Sequence, residues 1–416
     1  MPYRVALIAS NPSLPFVFDA AGRADCLITL TTLPGAFVPA GLPHLERTVE
    51  LDIFGDPEGA HGWLADAHAR QPFDAVVTVS EAAAPFTADA AQRLGLRGVR
   101  PEVARICRDK YRQRTIMRAA GLDVPGYRLI DAGADVGEQV AGLRFPLVVK
   151  PTNGLSSQGV SRADDLGELK AAVDLVQNIN AEQLGSYADP SRAERTGILA
   201  EEFIDGPEYC VEAISGPDGT TVLTITDKGN LQGPFFEERT FITPAPLEPA
   251  VAARITEAVL TAHRETGIDF GASHTELRLR DGESPVLLEI AARMGGSGTV
   301  HYLVETATGV DFLGAMLRQA CRGDLPDLRP TRQRVAGDWI VPVTGHGTFA
   351  GLSGADVVRR HPDTRLLLEL MRPGAEVPQW PRFVGYPAFV LSEHSTHRDC
   401  LDFHAWLEGV IGIAWA

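Results

Sequence analysis

Two carboxylates set inside apolar, strand-like runs constrain this chain more than any other feature. Glu276 lies in His274-Thr275-Glu276-Leu277-Arg278-Leu279, and Glu289 in Val286-Leu287-Leu288-Glu289-Ile290. The turn signal Asp281-Gly282-Glu283 separates the runs, so an antiparallel hairpin is expected. In such a hairpin the two glutamates can lie opposite each other on one face. Charge in an apolar strand is costly unless paired or metal-bound, and neighbouring carboxylates repel unless a cation bridges them. One reading is magnesium, held by the carboxylates together with nucleotide phosphates. The other turns one glutamate to solvent and pairs the second with Arg293.

The rest of the chain limits the context. Its 416 residues, 44% hydrophobic and 22% charged, are enough for real cores and allow roughly two to four domains. The formal charge of −16 argues against non-specific nucleic-acid binding. An anionic ligand must therefore meet a local cluster of cations or a metal. Cys26, Cys107, Cys210, Cys321 and Cys400 are isolated and read as core thiols in a reducing compartment. No stretch approaches 18 apolar residues, and the opening apolar run is only strand-length, so a cytoplasmic protein without membrane segments is expected.

Apolar runs at 5–9, 26–30 and 75–79 read as buried parallel strands. Asp56-Pro57 opens a helix whose Trp63, Leu64 and Ala67 can face the sheet. This alternation predicts a doubly wound α/β unit, and the absence of GxGxxG argues against a dinucleotide site. Residues 101–121 read as two helices meeting at Asp109. Their basic residues, Arg105, Arg108, Lys110, Arg112, Arg114 and Arg118, are taken mostly as a solvated face. A strand at 147–151 ends in Lys150-Pro151, and a small-residue loop follows at 152–160. A helix is expected at 161–176, a polar surface excursion at 177–197, and an antiparallel meander from 198–203, 209–214 and 222–226. Val251, Ile255, Ala258, Val259 and Ala262 give a helix at 249–266 its apolar face. A helix opens at Thr299 after a glycine-rich loop, and 331–416 is mostly β with two amphipathic helices.

Several residues carry candidate chemistry. Backbone amides of the Gly154–Gly159 loop, with Ser156 and Ser157, can approach phosphate oxygens, although many loops share that composition. Lys150, at the end of an apolar run, needs an anionic partner such as phosphate, and Lys110 could reach the same anion. Glu201-Glu202-Phe203-Ile204 could set a backbone carbonyl and amide against an adenine edge, with Glu208 accepting from ribose hydroxyls. Read by itself, that segment is better explained as an ordinary strand–turn–strand.

Taken in order, these elements resemble the ATP-grasp enzymes over roughly residues 75–330. Asp109-Lys110 with Gly121-Leu122-Asp123-Val124-Pro125, the strand Phe145-to-Lys150, the loop 154–160 and the hinge Glu201-Glu202-Phe203-Ile204 with Gly206 and Glu208 are similar to four family motifs. Glu276 and Glu289 with Arg293 resemble the family's metal and phosphate site. Where many members have Asn two residues after the second metal glutamate, this chain has Ala291, so water or phosphate would replace that ligand. The Ala-Ala-Arg variant, Asp227-Lys228, His274-Thr275-Glu276 and Ile242-Thr243-Pro244 are similar to bacterial L-amino-acid ligases, but Phe241 stands where several of those have histidine.

The resemblance implies a fold: an N-terminal doubly wound domain (1–105), an ATP-grasp domain (106–330, with a lid lobe at about 125–205) and a C-terminal α+β lobe (331–416). It implies ATP and Mg²⁺, with Mn²⁺ as the alternative ion, and small-molecule carboxylate and amine substrates joined through an acylphosphate. Lys110, Lys150, Gly154, Ser156, Ser157, Gly159, Glu201, Glu202, Phe203, Ile204 and Glu208 would bind the nucleotide. Glu276 and Glu289 would hold the metal. Arg293 would stabilise the transferred phosphoryl group, and Glu238 or His274 would hold the ammonium or take its proton. Another ATP-grasp ligase, acting on a nucleotide precursor or bicarbonate, and a non-catalytic ATP-binding protein are the alternatives. A twofold homodimer is compatible with the sequence, which does not itself call for one.

Overall fold

The structure is a computed structural model and describes residues 1–9, 16–154, 157–183, 197–296, 299–379, 382 and 385–416. Four parallel strands form the first sheet, in the order Leu45–Glu50, Cys26–Thr32, Tyr3–Leu7, Ala75–Val77. The expected first and third strands stop two residues early. Leu45–Glu50 was missed because, as an edge strand, its side chains alternate between half-buried and exposed rather than forming an apolar run. Asp56 caps the helix Pro57–Arg70 through the Gly59 amide, and Leu64 and Ala67 are buried on its inner face. Trp63 is half-buried and lies 5.2 Å from the Arg47 guanidinium.

The helices Pro101–Cys107 and Lys110–Ala119 meet at Asp109, whose carboxylate accepts from the Tyr111 and Arg112 amides. The solvated-face reading fails for three of the basic residues here, among them Lys110, which is buried and pairs with Glu289. Arg114 is fully buried against Glu201, and Arg108 pairs with Glu81 at 2.8 Å.

A four-stranded antiparallel sheet follows, in the order Tyr127–Ile130, Ile198–Glu202, Leu147–Pro151, Ser161–Ala163. The helix Leu166–Gln183 covers it. The expected helix at 161–176 therefore starts late. Ser161–Ala163 pairs as a strand, and the Asp165 side chain accepts from the Glu168 amide to start the helix. Most of the expected excursion at 177–197 lies outside the described residues. The strand at 198–202 belongs to this sheet, not to a meander with the strands that follow it.

Those strands form an eight-stranded antiparallel sheet. Its order is Ser284–Ala291, Gly271–Arg280, Glu208–Gly216, Gly219–Asp227, Thr240–Thr243, Val335–Ile340, Ala388–His394, Thr364–Glu369. The last three strands come from the 331–416 segment, which also supplies the helices Ala355–Arg359 and His397–Val410. Glu276 and Glu289 are direct cross-strand partners, with a register shift immediately after Glu276. The helix Pro249–Thr266 buries Ile255, Ala258, Val259 and Ala262, but Val251 is only partly buried. All five cysteines are buried and free. Among the described residues, no helix is long and apolar enough to cross a membrane.

Candidate active site

The four-stranded and eight-stranded antiparallel sheets, the parallel-sheet region and the C-terminal segment line a cleft of about 840 Å³. Its wall includes Lys110, Lys150, Gly154, Ser157, Glu201, Glu202, Phe203, Ile204, Glu208, Glu238, His274, Glu276, Glu289 and Arg293. Gly159 is not on the wall; it has φ +73 and packs toward Ile179. Ser156 lies outside the described residues.

Lys150 ends its strand with the ammonium 2.5 Å from Glu201 Oε2, while Arg114 Nε donates to Oε1 at 2.5 Å. Burial lowers the Lys150 pKa, with Glu201 opposing. Burial would raise the Glu201 pKa, but Arg114 and Lys150 together hold it below the usual range. The Glu201 carboxylate is thus a counter-ion that fixes the lysine. Glu202 instead pairs with the exposed Arg144. The Glu202 and Phe203 amides already donate to the Gly126 and Pro146 carbonyls. The Phe203 ring stacks on Phe236, 6.1 Å away, with the Arg278 guanidinium 5.0 Å from its centroid.

The paired glutamates each hold an ammonium. Lys110 Nζ is 2.8 Å from Glu289 Oε1 and donates to the Gly154 carbonyl at 3.0 Å. Lys228 Nζ is 2.8 Å from Glu276, 2.7 Å from Glu208 and 2.8 Å from Glu238. Neither glutamate is solvated alone and neither pairs with Arg293, so the bland reading of this pair fails. Two opposed carboxylates, partly exposed to the cleft, are a hard-oxygen donor set that fits a magnesium-like ion. Ala291 is buried and offers no third side-chain oxygen. Glu208, expected at the ribose, also accepts from Arg278 Nε at 3.0 Å.

Arg293 pairs with Glu81, which also takes Arg108. Burial would raise the Glu81 pKa, but Arg293, Arg108 and Lys110 bring it down to about 2. The Arg293 Nε is buried without a partner among the described residues, which leaves one donor for a ligand. Glu81 was missed, although it follows a parallel strand at its carboxyl end, where α/β sheets bind ligands.

His274 is held on both sides. Nδ1 bonds Glu212, and Nε2 lies 3.4 Å from Glu276 Oε1. Burial would lower its pKa, but Glu212 and Glu276 push it up to about 9. The imidazole is therefore a bridging cation at neutral pH. Glu238 accepts from the Tyr386 hydroxyl at 3.1 Å and lines the cleft together with Phe241, Leu370 and Phe389. Tyr386 and Lys228 were not in the expected set. Tyr386 comes from the segment where sequence motifs are weakest.

Within electrostatic reach of Glu238, the Thr299 hydroxyl donates to Asp338 Oδ2 at 2.6 Å. Burial pushes the Asp338 carboxyl up to about 7, against the Thr299 hydrogen bond and with help from Glu238. A carboxyl that binds its proton more tightly folded than unfolded (about 3.9) stabilises the fold fully below about pH 4 and less as pH rises toward 7. Asp338→Asn is expected to flatten the fall in Tm between pH 4 and 7. Equal slopes for the two proteins in thermal melts would contradict that role.

Comparison with known proteins bears on the fold as a whole. Residues 143–301 match the model for the ATP-grasp domain, and residues 18–98 match that for the ATP-grasp N-terminal domain. The solved L-amino acid ligase from Bacillus licheniformis is 36% identical, with a TM-score of 0.90 over 100% of this chain and 99% of that one. Alanine–anticapsin ligase from Bacillus subtilis is 29% identical over 61% of this chain and 56% of its own length. D-alanine–D-alanine ligase from Ralstonia nicotianae is 29% identical over 56% of this chain and 66% of its own. The chain spans little more than half the length of the first curated relatives it matches. Two family-model matches and full-length similarity to one solved relative lead to one conclusion: this chain belongs to the ATP-grasp family.

Proposed function

We propose that this protein is an ADP-forming carboxylate–amine ligase that makes an amide or peptide bond through an acylphosphate. The observation that carries the reading is one cleft holding Lys110, Lys150, Arg293 and the opposed pair Glu276 and Glu289. A carboxylate oxygen of the acid attacks the γ-phosphorus of ATP, and ADP leaves. The amine nitrogen then attacks the acyl carbon, loses a proton, and inorganic phosphate leaves.

ATP and the acid bring several negative charges together, so the work is positioning and charge neutralisation. Lys110 and Lys150 hold the α- and β-phosphates. Arg293 meets the transferred phosphoryl group as a planar fork. Glu276 and Glu289 would hold Mg²⁺, or Mn²⁺ as the alternative, which supplies charge neutralisation at the phosphates when bound. Glu238 holds the amine as its ammonium or receives the proton. Gly154 and Ser157, on the cleft wall, would help keep water from the acylphosphate.

The test is a phosphate-release screen of amino acids, alone and in pairs, with product masses. A product equal to two substrates minus water, formed with one ADP, is expected. ATP hydrolysis indifferent to every acid added would contradict a ligase.

A further inference from the structure

Glu212 is fully buried, yet no lysine or arginine is bonded to it among the described residues. It lies on the central strand Glu208–Gly216, directly opposite His274, while Cys210 on the same face lies opposite Glu276. Both of its oxygens are used. Oε1 bonds His274 Nδ1, and Oε2 accepts the Gly295 amide at 2.9 Å. The other His274 nitrogen reaches Glu276. One carboxylate therefore ties two parts of the site together: the backbone just after Arg293 and the proposed metal ligand Glu276.

Gly295 rests directly on this pair. A Cβ added at Gly295 would lie 2.8 Å from Glu212 Oε1, 2.9 Å from His274 Nδ1 and 2.7 Å from Val300. Only glycine lets the backbone approach so closely. A buried carboxylate with an imidazole and an amide for partners is a poorer stabiliser than an apolar side chain of similar shape. Its value lies in what it fixes.

We propose that Glu212 is a positioning residue: through Gly295 it fixes the Arg293 loop, and through His274 it fixes Glu276, so that phosphoryl-binding arginine and metal carboxylate keep one relative geometry. The proposal rests on the ligase reading above. A displacement of about 1 Å at such a site costs roughly 100-fold in rate.

The test compares Glu212→Ala and Glu212→Gln in the full chain. Alanine leaves the Gly295 amide and the His274 nitrogen without partners, whereas glutamine keeps an acceptor for the amide. Glu212→Ala is expected to lower kcat by about 100-fold while the KM for ATP stays within about threefold, and Glu212→Gln to recover at least about tenfold. In metal-free and nucleotide-free protein, hydrogen exchange should rise in peptides covering 291–300 for alanine and stay near wild type for glutamine. A kcat within threefold of wild type for alanine would overturn the proposal. So would unchanged exchange at 291–300, or equal loss in both variants accompanied by a global fall in Tm. If the wild type forms no ligation product with any substrate, the ligase reading fails while the exchange arm still tests the anchor.

Discussion

Arg293→Ala is expected to fold and to lower turnover by about three orders of magnitude or more. The fold survives because Glu81, its carboxylate partner, keeps Arg108 at 2.8 Å and is not left as an unpaired buried charge. The rate falls because the lost guanidinium meets charge that develops on the transferred phosphoryl group, where arginine contributes roughly 10³–10⁵ in related chemistry. Arg293→Lys should recover only part of the loss, since an ammonium cannot copy the planar fork. Steady-state ADP formation and a thermal melt check this together. A folded Arg293→Ala protein with wild-type turnover would remove Arg293 from the mechanism.

Glu289→Gln should be nearly as damaging, but with a different signature. Glutamine keeps the shape of the side chain and an oxygen within reach of Lys110, which still donates to the Gly154 carbonyl. It removes one of two opposed charges that would hold the divalent ion. Losing an outer partner of a metal ligand costs about 10–100-fold in affinity or activity, so losing a ligand's charge should cost at least about 100-fold. The magnesium concentration for half-maximal rate should rise as well. A Glu289→Gln enzyme with unchanged rate and unchanged magnesium dependence would show that the ion sits elsewhere.

The sequence carried those elements whose chemistry conflicts with their surroundings. Carboxylates in apolar strands and a lysine ending a buried run need partners, so Glu276, Glu289 and Lys150 stood out without any structure. Asp109 and Asp56 were legible as caps because capping is a local hydrogen-bond problem. What stayed hidden depends on long-range pairing. The Arg114–Glu201 pair joins residues 87 positions apart, and Arg293–Glu81 joins residues 212 apart. Neither partner is unusual within its own segment. Glu201 was read with the adenine hinge because its neighbours suggest it, whereas strand alternation turns its carboxylate inward to Lys150. Tyr386 reaches the cleft only because the last strands of the large sheet close beside Thr240–Thr243.

The central claim is that a carboxylate is activated by ATP in this cleft before the amine attacks. An acid substrate labelled with ¹⁸O in both carboxylate oxygens tests it most directly, with the released phosphate analysed by mass. Attack on the γ-phosphorus followed by amine displacement predicts one ¹⁸O in each phosphate and one left in the amide. Amide product formed with unlabelled phosphate would contradict the acylphosphate route.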